Sequence, residues 1–153
     1  MWYRGDIDVI APQFGLDPAL VEAIVLVESA GKTHAYRYEP DFWRRYLADK
    51  VEWKDQNPER VSASYGLMQV MYSTAWECGF REEPECLFVP SIGLRWGCTY
   101  LSRLMEWAHQ DPAKAVAAYN GGRGAWSKAP AQTYREKVYA HWHPGPERTG
   151  VPV

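Results

Sequence analysis

One glutamate, Glu28, falls on the apolar stripe of a predicted helix. It follows Ile24 by four positions and Val21 by seven, so a helix puts its carboxyl on the same face as these aliphatic side chains. Desolvation on that face favours the protonated acid. The partial negative charge of a helix C-terminus does the same, because Gly31 is expected to end the helix. A carboxyl group still protonated near neutral pH is suited to protonating a glycosidic oxygen.

Periodicity alone leaves a plainer interpretation of Glu28 open. Its carboxylate can instead sit at the helix edge and face solvent, or pair with an arginine such as Arg37. The choice between these interpretations depends on the residues around Glu28 and on the other motifs of the chain.

The elements that must position Glu28 are predicted to be helices. Asp17 and Pro18 form a helix start, since Asp accepts hydrogen bonds from the first free amides and Pro has no amide to leave unpaired. With Gly31 as the stop, this helix has about three turns. Similar patterns predict helices over 91–109 after Pro90, over 111–121 and over 130–142, with weaker candidates at 6–14 and 41–49. No alternating strand pattern is visible.

Length and charge limit the class of protein. The 153 residues correspond to one domain. Lys and Arg number 17 against 19 Asp and Glu, a net charge of −2 that provides no basic field for nucleic acid. The longest apolar run, from Ala23 to Val27, is too short for membrane insertion. The 8 Trp, 10 Tyr and 4 Phe exceed the needs of a small core, which favours aromatic contacts with a ligand.

The cysteines and the N-terminus carry less information. Cys78, Cys86 and Cys98 are an odd set without the paired spacing of a zinc site or a redox CxxC motif. We interpret them as core thiols, and a Cys78–Cys86 bridge in an oxidising compartment stays open. Acidic residues occupy the N-terminal positions where a secretory signal would be apolar, so no signal peptide is visible.

Three motifs in order along the chain, the first of which contains Glu28, strengthen its catalytic interpretation. They are the pair Glu28-Ser29, then Gly66-Leu67-Met68-Gln69-Val70, then Ala118-Tyr119-Asn120-Gly121-Gly122. Pro90-Ser91-Ile92 precedes the long predicted helix, and Tyr134 lies in the last one. Together they resemble the SLT-type lytic transglycosylase domain related to goose-type lysozyme, over roughly residues 16–139.

The resemblance implies a mainly α, lysozyme-like fold whose two lobes flank a glycan-binding groove. Residues 1–143 would form a single catalytic domain, with residues 36–60 as an insertion and 144–153 as a loose tail. The partner would be a peptidoglycan strand, cleaved by a monomer without metal or cofactor. By similarity, Glu28 would be the only catalytic acid and base. It would cleave the bond between N-acetylmuramic acid and N-acetylglucosamine and leave a 1,6-anhydro ring.

The resemblance also suggests substrate-binding residues. Gly66 would let the backbone approach the glycan, Met68 would offer an adaptable apolar contact, and Gln69 would bond a hydroxyl or N-acetyl group. The phenol of Tyr119 would orient Glu28, although core packing is the alternative for both Tyr119 and Met68. The remaining candidates are Ser29, Asn120 for an acetamido group, and Tyr134 in the groove wall.

The sequence departs from the family pattern between the first two motifs. Thirty-eight positions separate Glu28 from Gly66, and the additional residues are rich in charge and aromatic groups. Most of their acids are expected to face water. Goose-type lysozymes hydrolyse their substrate and use acids in this part of the chain, so Glu39 and Asp41 keep a muramidase or chitinase-like hydrolase open. The aromatic residues of the insertion could instead stack on sugars.

A third alternative is a non-catalytic glycan-binding wall protein with the same fold. It is less favoured because Glu28, Gln69, Tyr119 and Asn120 are all present. A wall-cleaving enzyme is expected to act in the periplasm or outside the cell. The absence of a visible export signal favours a phage-encoded protein or a chain whose leader has been removed.

Overall fold

The computed structural model describes residues 3–143. Helices dominate this part of the chain, and three short strands form a small sheet. The helices are α1 (Arg4–Gln13), α2 (Pro18–Ser29), α3 (Pro40–Phe42), α4 (Pro58–Val61), α5 (Tyr72–Glu77), α6 (Pro90–Trp107), α7 (Pro112–Gly121) and α8 (Ala129–His141). The strands are β1 (Tyr36–Tyr38), β2 (Ala63–Tyr65) and β3 (Val70–Met71). A π-helical turn spans Trp43–Leu47, and a 3-10 turn spans Pro84–Phe88.

Helix α2 is the central helix of the fold, and its predicted ends are confirmed. The side chain of Asp17 accepts a hydrogen bond of 2.9 Å from the amide of Ala19, and Pro18 takes the first helical position. At the other end Ala30 adopts a left-handed conformation with φ 52°, one residue before Gly31. Nearly the whole first half of α2 is buried, so its last turn is held firmly in place.

The other long helices surround α2. Helices α1 and α8 pack directly against it, while α6 and α7 pack against these neighbours. A polar contact ties the end of α8 to the start of α2, because the indole of Trp142 donates a 3.0 Å hydrogen bond to Asp17. The same carboxylate that begins α2 therefore also holds the end of α8.

The prediction that the chain has no strands is wrong. Strand β1 pairs antiparallel with β2, and β2 pairs antiparallel with β3. These strands have only two or three residues each, and all three residues of β2 are buried. Such short strands contain too few positions for polar and apolar residues to alternate visibly.

The 36–60 segment is only partly helical. The predicted helix near 41–49 is replaced by α3 and the π-helical turn, in which the amide of Ala48 donates to the carbonyl of Trp43 at 2.9 Å. Leu47 and Trp53 are buried and attach the segment to the core. Near the end of the segment, Asn57 caps α4 through a 3.0 Å hydrogen bond from the amide of Glu59.

Several expectations concern the periphery of the fold. Cys98 is buried, Cys78 and Cys86 are partly exposed, and none of the three forms a disulfide. Within residues 3–143 no helix has both the length and the apolar character needed to cross a bilayer. The predicted loose tail, residues 144–153, lies outside the described residues.

Candidate active site

A groove of about 850 Å³ separates the helical bundle from the small sheet and the 36–60 segment. Six of the predicted site residues line it, and they come from both sides. They are Glu28, Glu39, Asp41, Gln69, Tyr119 and Asn120. The other four predicted residues, Ser29, Gly66, Met68 and Tyr134, are buried behind the groove wall.

Glu28 lies in the last turn of α2, with part of its side chain open to the groove. Burial of the carboxyl raises its pKa from 4.5 to about 7. A hydrogen bond from Tyr134 and the charge of Arg37 oppose this shift, whereas the charge of Glu39 adds to it. A substantial fraction of Glu28 is therefore protonated at neutral pH, as the periodicity of the sequence predicted.

The phenol that contacts Glu28 belongs to Tyr134. Its hydroxyl donates a hydrogen bond of 2.9 Å to Oε2 of Glu28. Tyr134 lies on α8, whose packing against α2 brings the two residues together. It is mostly buried, so the predicted position in the groove wall is replaced by a position behind the carboxyl group.

The expectation that Tyr119 orients Glu28 is therefore wrong. The hydroxyl of Tyr119 donates at 2.7 Å to the backbone carbonyl of Met68. This bond joins α7 to the loop between β2 and β3, and Tyr119 is part of the groove lining although it is mostly buried. Tyr119 thus supports the wall opposite its own helix.

The predicted contact between Met68 and substrate is also wrong for this structure. Met68 is 0% exposed. It packs so closely on Gly97 of α6 that a Cβ at that glycine would lie 2.4 Å from the Met68 sulfur. Core packing, the alternative considered for Met68, describes its position.

Residues Gly66 to Gln69 form the turn between β2 and β3. The turn closes through a 3.1 Å hydrogen bond from the amide of Gln69 to the carbonyl of Gly66. Gly66 has φ 76°, and a Cβ there would lie 2.4 Å from the carbonyl oxygen of Leu87. The glycine is needed for this close approach to the 3-10 turn, instead of the predicted approach to glycan.

Gln69 reaches the groove in an orientation set by the backbone. Its side-chain nitrogen donates to the carbonyls of Ala35 at 2.9 Å and Gly66 at 3.0 Å. With both amide protons used internally, the carboxamide oxygen is the group left to accept a hydrogen bond from a ligand. Gln69 was predicted to bond a hydroxyl or N-acetyl group. Its orientation leaves the carboxamide oxygen to accept a hydrogen bond from an O–H or N–H of such a group.

Ser29 has a structural partner on the far side of the turn. Its hydroxyl donates at 2.8 Å to the carbonyl of Leu67 and lies 3.1 Å from the carbonyl of Val25. The side chain is buried and its hydroxyl is directed at these backbone carbonyls, which does not favour the predicted contact with substrate. In the Glu28-Ser29 pair, the acid therefore faces the groove, and the hydroxyl holds the turn between β2 and β3 through its hydrogen bond to Leu67.

Asn120 marks the C-terminal end of α7 on the groove. It is exposed, and no hydrogen bond holds its amide group among the described residues. Gly121 and Gly122 follow it in the lining, and a Cβ at Gly122 would meet nothing within 4 Å. This position is consistent with the predicted contact to an acetamido group.

Charged residues of the 36–60 segment form the facing rim. Arg37 and Glu39 are two positions apart in and after β1 and form an ion pair of 3.2 Å. Asp41 pairs with Arg44 and is largely exposed. Glu39 is the better-shielded of the two predicted second acids, and its charge acts on Glu28.

Several residues of the groove lining were not predicted as site residues from the sequence. Tyr100 of α6 lies in the lining with its ring centroid 5.3 Å from that of Tyr119. Other residues not predicted individually are Arg45, Ser64, Val70, Met71, Thr74, Gly124, Ala125 and Lys128. Neither their residue types nor their spacing in the sequence marks them as site residues. The fold brings them together.

Comparisons with known proteins concern the family and the fold of the chain. A family model described as "Transglycosylase SLT domain" matches residues 7–141. A search of curated proteins found no match.

Two solved structures share the fold. An inactive glutamate-to-glutamine mutant of the lytic transglycosylase Slt from Pseudomonas aeruginosa has 21% sequence identity and a TM-score of 0.67. The 70 kDa soluble lytic transglycosylase from Escherichia coli has 19% identity and a TM-score of 0.69. Each likeness covers 91% of this chain but 23% of the larger protein, so the chain corresponds to about a quarter of either enzyme.

Proposed function

The chain belongs to the transglycosylase SLT domain family, and from this premise we propose that it is a peptidoglycan lytic transglycosylase. It cleaves the β-1,4 bond between N-acetylmuramic acid and N-acetylglucosamine and leaves a 1,6-anhydro end. Its substrate lies in the bacterial cell wall, where the enzyme then acts. The inactivity of the glutamate-to-glutamine mutant of the Pseudomonas aeruginosa enzyme supports a glutamate as the essential group.

The observation that carries the proposal is the environment of Glu28. Its carboxyl is partly open to a groove, has a pKa of about 7 and accepts a hydrogen bond from Tyr134. A group with this pKa can give up a proton in one step and take one back in the next at the same pH. A single residue can then serve as both acid and base.

The reaction balances without water. Protonated Glu28 gives its proton to the bridge oxygen as the bond from C1 of the muramyl residue to that oxygen breaks. The resulting carboxylate is stabilised by the phenol of Tyr134, and it removes the proton from the C6 hydroxyl of the same sugar. The C6 oxygen bonds to C1 and closes the anhydro ring. The internal hydroxyl replaces the water that a second carboxylate would activate in an inverting hydrolase.

The other groove residues fit binding of an N-acetylated sugar strand. The carboxamide oxygen of Gln69 is available to accept from a hydroxyl or an acetamido N–H, and the amide of Asn120 is free to bond an acetamido group. Tyr100 and Tyr119 provide aromatic surface between them. These neutral polar groups and aromatic rings suit a sugar, although the same groove also contains the charged rim of the 36–60 segment.

The test is a mass analysis of fragments released from purified peptidoglycan. Lytic transglycosylation yields products with anhydro ends, which are one water lighter than the reducing-end products of hydrolysis. The Glu28→Gln variant should release neither. Exclusively reducing ends from the wild-type protein would reject transglycosylation, and equal release by wild type and Glu28→Gln would reject the role of Glu28.

A hydrolase remains the second candidate because Glu39 faces the same groove and its charge acts on Glu28. Glu39 would activate the water in that case, whereas the exposed, ion-paired Asp41 is less suited. The Glu39→Gln variant separates the two functions. It should retain anhydro products if Glu28 acts alone, and should lose reducing-end products if Glu39 activates water. Asp41→Asn serves as the matched control.

A further inference from the structure

Two aromatic side chains of the 36–60 segment face the groove at its rim. Phe42 and Tyr46 have ring centroids 4.8 Å apart and planes inclined by 50°, and both belong to the groove lining. Tyr46 is 53% exposed, so much of its surface is open to a ligand. We refer to this pair as the aromatic platform.

The backbone beneath the aromatic platform is unusual and well anchored. Phe42 ends α3, and Tyr46 lies within the π-helical turn that follows. Residues four apart lie on the same face of a helix, so both rings point to one side. Leu47 is buried at 3% exposure and attaches the turn to the core. π-Helical turns are rare and frequently occur at functional sites.

The position of the aromatic platform distinguishes it from ordinary exposed apolar residues. Val51 is 81% exposed in the same segment but does not line the groove, and single residues of this kind are common on protein surfaces. Phe42 and Tyr46, in contrast, continue the same groove that contains Glu28. A strand bound across Glu28 would extend along this rim.

We propose that Phe42 and Tyr46 form an additional sugar-binding subsite, in which one N-acetylhexosamine of the strand, beyond the cleaved bond, stacks on the aromatic platform. The proposal rests on the proposed function, since it requires a glycan in the groove. A pyranose ring carries C–H groups on its faces, and covering them with an aromatic face removes apolar surface of both partners from water.

Polar residues beside the aromatic platform suit the rest of the sugar. Arg45 lies between the two rings in sequence, lines the groove and has no ion-pair partner among the described residues. Its guanidinium group is therefore available to donate to the hydroxyl and carbonyl oxygens at the edge of a stacked ring. An aromatic face with a few convergent polar groups is the usual composition of a small-ligand site.

The experiment measures how affinity depends on chain length. In the Glu28→Gln background, which prevents cleavage, binding of N-acetylglucosamine oligomers of three to six sugars is followed by calorimetry. Affinity should increase when the oligomer becomes long enough to reach the aromatic platform. Tyr46→Ala should remove this increment, a loss of about five- to tenfold for the long oligomers only. Tyr46→Phe should keep it, because the stacking face remains.

Matched variants separate a subsite from a structural effect. Val51→Ala should leave affinity for every oligomer unchanged, and Phe42→Ala should reproduce the length-dependent loss. Equal loss for short and long oligomers in Tyr46→Ala, or no loss for any of them, would overturn the subsite.

A kinetic experiment complements the binding measurement. It follows the cleavage of long peptidoglycan strands by variants that retain Glu28. Tyr46→Ala should raise KM several-fold with little change in kcat. If the protein with wild-type Tyr46 neither binds any oligomer nor cleaves the strands, the proposed function itself fails. Normal binding and cleavage that are insensitive to Tyr46→Ala reject the subsite alone.

Discussion

The hydroxyl of Tyr134 donates a 2.9 Å hydrogen bond to Oε2 of Glu28 across 106 positions of sequence. Helices α2 and α8 carry these two residues, and their packing sets the direction from which the phenol approaches the acid. Because Tyr134 is mostly buried, the bond is shielded from water and constrains the carboxyl in one orientation.

The first prediction concerns the removal of that bond. Tyr134→Phe takes away a contact that lowers the pKa of Glu28, so the pKa should rise above about 7. The alkaline limb of the pH profile should move to higher pH. Loss of one donor to the developing carboxylate should also reduce kcat by roughly ten- to a hundredfold. The measurement is a pH profile of kcat for release of soluble fragments.

A matched control for this prediction lies on the same helix. Tyr139 packs against Trp142 at a ring separation of 5.1 Å and does not contact Glu28. Tyr139→Phe should leave both kcat and the position of the limb unchanged. If the alkaline limb of the pH profile of kcat does not move in Tyr134→Phe, the hydrogen bond does not affect the pKa of Glu28.

The second prediction uses the two charges at the groove rim. Arg37 lowers the pKa of Glu28 and Glu39 raises it. Arg37→Gln should therefore move the alkaline limb of activity to higher pH, and Glu39→Gln should move it to lower pH. Both side chains are partly exposed, so both shifts should shrink at high salt. Shifts in the same direction would contradict the electrostatic explanation.

The sequence predicted the acid and its helix better than it predicted the residues around it. Helical periodicity, a capping residue and a glycine stop all depend on local sequence, and they placed Glu28 on the apolar face of its helix. The ordered motifs then favoured Glu28 as the acid. The partner of Glu28 could not be identified, since Tyr119 and Tyr134 both carry phenols in predicted helices. Only the packing of α8 on α2 and of α7 on the β2–β3 turn decides which of them reaches the carboxyl.

The small sheet could not be predicted from local sequence either. Each strand has two or three residues, and their pairing is set by contacts between distant parts of the chain. The turn from Gly66 to Gln69 was recognised as a motif through resemblance, without its hairpin geometry. Three of its residues, Gly66, Met68 and Gln69, consequently seemed to be possible ligand contacts, although only Gln69 of these lines the groove.

The third prediction links Glu28 to stability. Its pKa of about 7 in the folded protein exceeds the ordinary value of 4.5, so the folded state binds the proton more tightly. The free energy of unfolding should therefore decrease as pH rises from about 4.5 to about 7. Glu28→Gln removes the ionisable group and should be more stable than wild type above this window, by roughly 3 kcal/mol at most.

Urea unfolding at two pH values checks this prediction. At pH 5 the variant and the wild type should be close, because Glu28 is protonated in the folded protein. At pH 8.5 the variant should have the higher midpoint. A difference that is the same at both pH values would show that the substitution acts through packing instead of through the charge.

The fourth prediction concerns the turn that carries Gln69. Gly66 combines φ 76° with a position where a Cβ would meet the carbonyl oxygen of Leu87 at 2.4 Å. Neither feature can relax by a side-chain rotation, because both involve backbone. Gly66→Ala should lower the free energy of unfolding by about 1–3 kcal/mol. It should also raise KM, since Gln69 would move with the turn.

Gly5→Ala is the matched substitution. Gly5 lies within α1, a Cβ there meets nothing within 4 Å, and its backbone has no positive φ. Alanine should stabilise this helix by about 0.5–1 kcal/mol and leave KM unchanged, because α1 does not line the groove. The two variants add the same methyl group and should shift the urea midpoint in opposite directions. If both were neutral, the close contact between Gly66 and Leu87 would not constrain the turn, and the orientation of Gln69 would need another explanation.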